Sequence, residues 1–105
     1  MSNICILIPA YNPDERLIEL YTELKNIFNI VIVDDGSVDK TIFNVINPKN
    51  IVVHSKNIGK GEALKSGMKY IIENFPNTKG IVTADCDLQH SIPDIIKLAT
   101  QLNTS

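Results

Sequence analysis

The sequence is short of the features that mark several protein classes. It has only two cysteines, Cys5 and Cys86, in 105 residues. That number fits neither a disulfide framework nor a zinc spacing, so both are read as thiols in a reducing compartment. There is no surplus of positive charge: ten Lys and Arg stand against twelve Asp and Glu, a net charge of −2. A broad basic surface for nucleic acid is therefore excluded. No long apolar run is present either. The longest near the start, residues 4–10, falls far short of a bilayer span or a signal-peptide core. Repeats, low-complexity stretches and linkers are absent too. With 44% hydrophobic and 21% charged residues, the composition is that of an ordinary globular chain. The length suits one domain, residues 1–105.

What the sequence does have is a regular alternation of two patterns. Short runs at residues 4–9, which are fully apolar, and at 30–33, 51–54 and 80–84, which are mostly apolar and largely β-branched, read as strands. Between them lie helix-period segments. Residues 14–28 carry Leu17, Leu20, Tyr21, Leu24 and Phe28 on one stripe, opened by Asn12-Pro13-Asp14. Residues 39–46 form a short helix stopped by Asn47-Pro48. Residues 61–73 place Leu64, Met68, Ile71 and Ile72 on one side, and residues 92–102 turn Ile95, Ile96, Ala99 and Leu102 inward. The order is β-α-β-α-β-α-β-α. Strands that are apolar or nearly so throughout, rather than alternating, imply an α/β fold: a Rossmann-like parallel sheet with helices on both faces. Ligands of such sheets bind beyond the carboxyl ends of the strands, where every polar cluster of this chain falls.

Four clusters carry candidate chemistry. After the fourth strand, Asp85, Asp87 and Gln89 stand two residues apart, so in extended backbone they share a face. Two carboxylates and an amide oxygen are hard ligands suited to Mg²⁺ or Mn²⁺. After the second strand comes Asp34-Asp35-Gly36-Ser37. An acid there can accept hydrogen bonds from a base or ribose, while Ser37 and Asp39 read as turn and helix-cap residues. Asn57-Ile58-Gly59-Lys60-Gly61 opens the third helix and lets Lys60 approach a phosphate. It is neither a Walker A loop, since His54 stands at the first glycine position, nor a dinucleotide fingerprint, since Leu64 stands at the last. In Pro9-Ala10-Tyr11-Asn12, the Tyr11 ring can lie beside a flat base. His54 and His90 show no sequence partners for a nucleophilic triad; His90 is a candidate phosphate contact. A phospho-accepting receiver domain has a similar length, but it needs acids where Tyr11-Asn12 and Ser55-Lys56 stand.

Together the stretches ILIPAYN, VIVDDGSVDKT, NIGKGEALKSG and VTADCDLQH resemble the family 2 glycosyltransferases of the GT-A fold. The nearest likeness is to the dolichyl-phosphate mannosyltransferase-like and polyprenyl-phosphate sugar transferases. The resemblance runs from Asn3 onward and covers the N-terminal, donor-binding half of the family's catalytic domain. It implies a nucleotide site of Pro9, Tyr11, Asn12, Asp35, Gly59, Lys60 and Asp85. Asp35 would meet the uracil or guanine edge. It implies a divalent metal, Mg²⁺ or Mn²⁺, on Asp85, Asp87 and Gln89; the usual D-A-D-L-Q-H wording differs here only at Cys86. The donor would be a UDP- or GDP-sugar, and the acceptor a polyprenyl phosphate or a growing polysaccharide. Transfer would be inverting, with the general base expected beyond Ser105, so the 105 residues alone are expected to lack transfer activity. A cytoplasmic location follows, with the parent enzyme at the cytoplasmic face of the membrane. The alternative is a non-catalytic nucleotide-binding or interaction module. The fourth strand is expected to be an open sheet edge through which the chain forms a homodimer.

Overall fold

A computed structural model describes residues 3–86 and 92–104. Eight elements follow one another: β1 (Ile4–Ala10), α1 (Arg16–Leu24), β2 (Asn29–Asp34), α2 (Thr41–Ile46), β3 (Ile51–Val53), α3 (Lys60–Asn74), β4 (Gly80–Thr83) and α4 (Ile92–Thr104). The strands form one sheet in the order β3-β2-β1-β4, and every pairing is parallel. This is the Rossmann-like α/β architecture expected of the N-terminal half of a GT-A fold.

Burial on both faces explains the apolar strands. Ile4, Ile6 and Ile8 of β1 join Ile30 and Ile32 of β2 in one core, roofed by Leu17, Leu20 and Leu24 of α1, Phe43 of α2, and Ile95 and Ala99 of α4. Cys5, Leu7, Val31 and Val33 alternate with them and point to the other face, where Ala63 and Ile71 of α3 cover them. Each fully buried Leu or Ile contributes roughly 1.5–3 kcal/mol. The α3 contact is unusually close. A Cβ on Gly67 would stand 2.2 Å from Leu7 Cδ1 and 3.0 Å from Val33 Cγ2. Only the absence of a side chain lets this helix lie so near the sheet.

That close seat corrects the expected helix faces. Ala63, Gly67 and Ile71 form the buried stripe of α3, whereas Met68 and Ile72 are exposed. In α4, Ile95 and Ala99 are buried and Leu102 is exposed. Helix α1 is shorter than the periodicity suggests. It ends at Leu24, and a turn in which the Phe28 N–H donates to the Leu24 carbonyl brings Phe28 into the core. Helix α2 starts at Thr41, whose N–H and hydroxyl both donate to Asp39 Oδ1. Asp39 thus fixes the first residue of the helix from one position before the cap residue, Lys40, and Ser37 is used elsewhere.

The chain steps from β1 outward to β2 and β3, then returns through α3 to β4 on the far side of β1. The reversal of strand order falls between β1 and β4. Above it the segments after the two strands part and leave a crevice. On its other side β4 has no neighbouring strand among the described residues. Among those residues no helix is long and apolar enough to cross a membrane.

Candidate functional site

A cleft of about 430 Å³ opens at this reversal point, a size usual for small-molecule sites. Pro9, Tyr11 and Asn12 line it from the end of β1, Asp35 from the end of β2, Lys60 from α3 and Asp85 from the end of β4. Six of the seven expected nucleotide-site residues thus meet around one cavity. Gly59 does not line it; its N–H bonds the Asp35 carboxylate. Asp87, Gln89 and His90 lie outside the described residues.

The β1 wall is clamped to the loop after β2. Asn12 takes a left-handed backbone, φ 45°, which Asn tolerates better than most residues. Its N–H donates to Ser37 Oγ at 2.8 Å, and its Oδ1 accepts from the Val38 N–H at 2.9 Å. The Tyr11 ring beside it is half exposed and faces the opening. At the rim, the Arg16 guanidinium forms a two-point ion pair with Asp14.

The two adjacent acids after β2 have separate tasks. Asp34 is buried, accepts the Ser37 N–H at 2.9 Å, and pairs with the Lys40 ammonium. It shapes the turn. Asp35 is also buried and faces the segment after β3. Its Oδ1 accepts from His54 Nδ1 at 2.8 Å and from the Ile58 N–H at 3.1 Å; its Oδ2 accepts from the Gly59 N–H at 2.9 Å and from Asn57 Nδ2 at 3.1 Å. Burial pushes the Asp35 carboxyl upward, but the His54, Ile58 and Gly59 donors outweigh it and hold the acid below the usual carboxylate range. Between the two segments, Gly36 has φ +73°, and a Cβ there would fall 2.2 Å from the Lys56 carbonyl carbon. Glycine is required on both counts.

Across the cleft, Lys60 Nζ lies 2.7 Å from Asp85 Oδ1. Gly59 takes φ +105° and is the residue from which α3 starts, so Lys60 sits in the first turn, at the end that favours anions. Asp85 is the one member of the expected metal set within the described residues. Its carboxylate is paired with the Lys60 ammonium. Among the described residues there is no group of three His, Cys, Asp or Glu placed to hold a metal.

The sequence reading misjudged His54. Far from lacking partners, its ring joins Asp35 through Nδ1 and Ser66 Oγ through Nε2, the latter at 2.8 Å. Asn57 also belongs to the cleft wall, although nothing in its position singled it out from the glycines beside it. One signal did exist for Ser66: with Ala63 and Gly67 it forms a small-residue patch on α3, where another segment can approach.

Comparison with known proteins shows the family. The family model described as glycosyl transferase family 2 matches residues 5–105, and the chain belongs to that family. It is 37% identical over 99 residues to an uncharacterized protein of Methanocaldococcus jannaschii, covering 90% of this chain and 40% of the relative. It is 35% identical to an uncharacterized glycosyltransferase of Synechocystis, covering 89% of this chain and 31% of the relative. A third relative is the undecaprenyl-phosphate 4-deoxy-4-formamido-L-arabinose transferase of Pseudomonas fluorescens, 31% identical over 93% of this chain and 32% of the relative. The chain thus spans 40% or less of these relatives' lengths. No solved structure matches it significantly.

Proposed function

We propose that residues 1–105 form the donor-binding part of a glycosyltransferase domain and hold the nucleoside diphosphate of a UDP- or GDP-sugar in the cleft between β1 and β4. The observation that carries this reading is the convergence of Tyr11, Asp35, Lys60 and Asp85 on one cavity at the reversal of strand order. A flat aromatic ring, a buried acid, a cation in a helix's first turn and an acid facing it are what a base, a ribose and a diphosphate call for. Pro9 and Asn12 complete the wall beside Tyr11, and the Gly59 N–H bonds the Asp35 carboxylate.

Asp85, with Asp87 and Gln89, would hold Mg²⁺ or Mn²⁺, whose chemistry is to neutralise the charge of the leaving diphosphate. In the parent enzyme the acceptor oxygen attacks the anomeric carbon as the bond to the diphosphate breaks, with inversion. The base that removes the acceptor proton lies outside residues 1–105. The acceptor class is a polyprenyl phosphate, supported by the undecaprenyl-phosphate transferase named among the relatives; this broad branch, rather than the mannosyltransferases in particular, is the one we favour. Such an acceptor would place the parent enzyme at the cytoplasmic face of a membrane.

Calorimetry with UDP and with GDP, in the presence and absence of Mn²⁺, tests the reading. Binding is expected to tighten with the metal and to be lost in Asp87→Ala. Metal-independent binding that survives this substitution contradicts the metal assignment. Absence of binding by either nucleotide contradicts the donor reading itself.

A further inference from the structure

His54 stands just past the end of β3, and its side chain is only 12% exposed. Both ring nitrogens are bonded, Nδ1 to the Asp35 carboxylate and Nε2 to the Ser66 hydroxyl on α3. A carboxylate can only accept, so Nδ1 carries the proton and, in the neutral ring, Nε2 accepts from the Ser66 O–H. The order acid, imidazole, hydroxyl is that of a nucleophilic triad. Here it has another use, because neither Ser66 nor His54 lines the cleft.

The bonds point to an architectural role instead. Among the described residues, all four donors to the Asp35 carboxylate come from residues 54–59. Two of them, the Ile58 and Gly59 N–H groups, belong to the turn that leads into α3, and Asn57 and Lys60 reach the cleft from the same turn. Gly59 is tied to the first turn of α3 by its carbonyl, which accepts from the Ala63 N–H at 3.0 Å, and His54 adds a side-chain tie further along, to Ser66 in the second turn. His54 links the end of β2 to the end of β3 and to α3. The carboxylate has room for about four hydrogen bonds, so it is saturated. A ligand group that bonds it directly replaces one of the four, and Asn57, which is exposed and lines the cleft, is the donor placed to yield.

We propose that His54 is a positioning residue of the donor site: by bridging Asp35 and Ser66 it sets the 57–59 turn, and with it Asn57 and Lys60, in place before the nucleotide arrives. This rests on the donor reading above, since only a preformed site benefits from such a brace.

The test compares wild type with His54→Asn, whose amide N–H can replace Nδ1–H, and His54→Phe, which keeps a ring but removes both bonds. Three readouts are taken: the ¹⁵N shifts of the His54 ring, hydrogen exchange at the Ile58 and Gly59 amides, and calorimetric affinity for UDP and GDP. The ring is expected as the Nδ1–H tautomer. His54→Phe is expected to speed exchange at Ile58 and Gly59 while the β1 and β2 amides stay protected. It should also weaken nucleotide binding about tenfold, the scale of one hydrogen bond to a charged group. His54→Asn is expected to recover most of both. Unchanged exchange and affinity in His54→Phe overturn the proposal, as does an Asn variant no better than Phe. If His54→Phe does not fold, the wild-type tautomer and His54→Asn decide: an Nε2–H ring, or Ile58 and Gly59 amides that exchange freely in wild type, reject the brace. A wild type that binds neither nucleotide removes the donor reading, and the exchange measurements then judge the brace separately.

Discussion

Lys60 and Asp85 lie 2.7 Å apart and join the start of α3 to the end of β4 across the mouth of the cleft. Residues 25 positions apart in sequence thus face each other where the strand order reverses. The lysine side chain is 61% exposed and the aspartate 27%, so the pair contributes at most about 1 kcal/mol to stability. Under the proposed function its importance is to ligand charge.

Lys60→Ala is therefore expected to leave the melting temperature almost unchanged and to weaken UDP or GDP binding by about tenfold, as for a lost charge-assisted phosphate contact. Thermal melts and calorimetry on the same sample separate the two effects. A large loss of stability with unchanged affinity would assign Lys60 to the fold.

Two glycines make opposite demands on space and backbone. Gly67→Ala brings a methyl group against Leu7 and Val33 with ordinary helical backbone; overpacking of this kind costs about 1–3 kcal/mol. Gly36→Ala meets main-chain atoms of Lys56 and Asn57 at a φ of +73°, and neither can yield as a side chain does. The Gly36 variant is expected to be the less stable of the two in urea unfolding. The reverse order would mean that the 56–57 segment moves easily.

These positions show what could be read from sequence. The four strands were legible because both faces of β1 and β2 are buried, which leaves an unbroken apolar run such as Ile4–Ile8. The cleft-lining residues were legible because polar residues at strand exits of a parallel sheet gather at one edge. What escaped was set by distance in space. Met68 and Ile72 have the right period for a core stripe, yet Gly67 draws α3 so close that Ala63, Gly67 and Ile71 fill the contact. The His54–Ser66 bond joins a strand end to a helix turn 12 residues later, a separation that no local pattern records.

Acid stability should report the Asp35 network. The carboxyl is lowered in the folded state, so its contribution is fully present above the unfolded value, about pH 4. It is lost as the pH falls from there through the folded value. Asp14 and Asp39 are lowered as well, by Arg16 and Thr41 respectively, so a single curve does not isolate Asp35. The difference between wild type and Asp35→Asn does. The variant is expected to be less stable at pH 7, and the gap should narrow below pH 4. A gap that stays constant down to pH 2 would show that the charge of Asp35 contributes nothing.

Among the described residues β4 has no strand on its outer side, and pairing of two copies through that edge is the expectation to test. Ile81 is half-buried, Thr83 is exposed, and Val82 is buried in the core beneath α4. A lysine at Val82 would disrupt the core, so Thr83→Lys is the variant that blocks the edge alone. The 105-residue polypeptide is expected to sediment as a dimer at high micromolar concentration and Thr83→Lys as a monomer. A monomeric wild type contradicts edge pairing.

The most direct measurement of the central claim is a titration of ¹⁵N-labelled protein with UDP and with GDP in the presence of Mg²⁺, following each assigned backbone amide. If the nucleotide enters the cleft at the carboxyl ends of the strands, the signals of Ala10, Tyr11, Asn12, Asp35, Asn57, Lys60 and Asp85 shift together in a saturable way. Those of Asn74, Asn77 and Thr78, around the smaller recess at the opposite end of the sheet, stay still. Shifts confined to that opposite end, or no saturable shift with either nucleotide, would contradict the account.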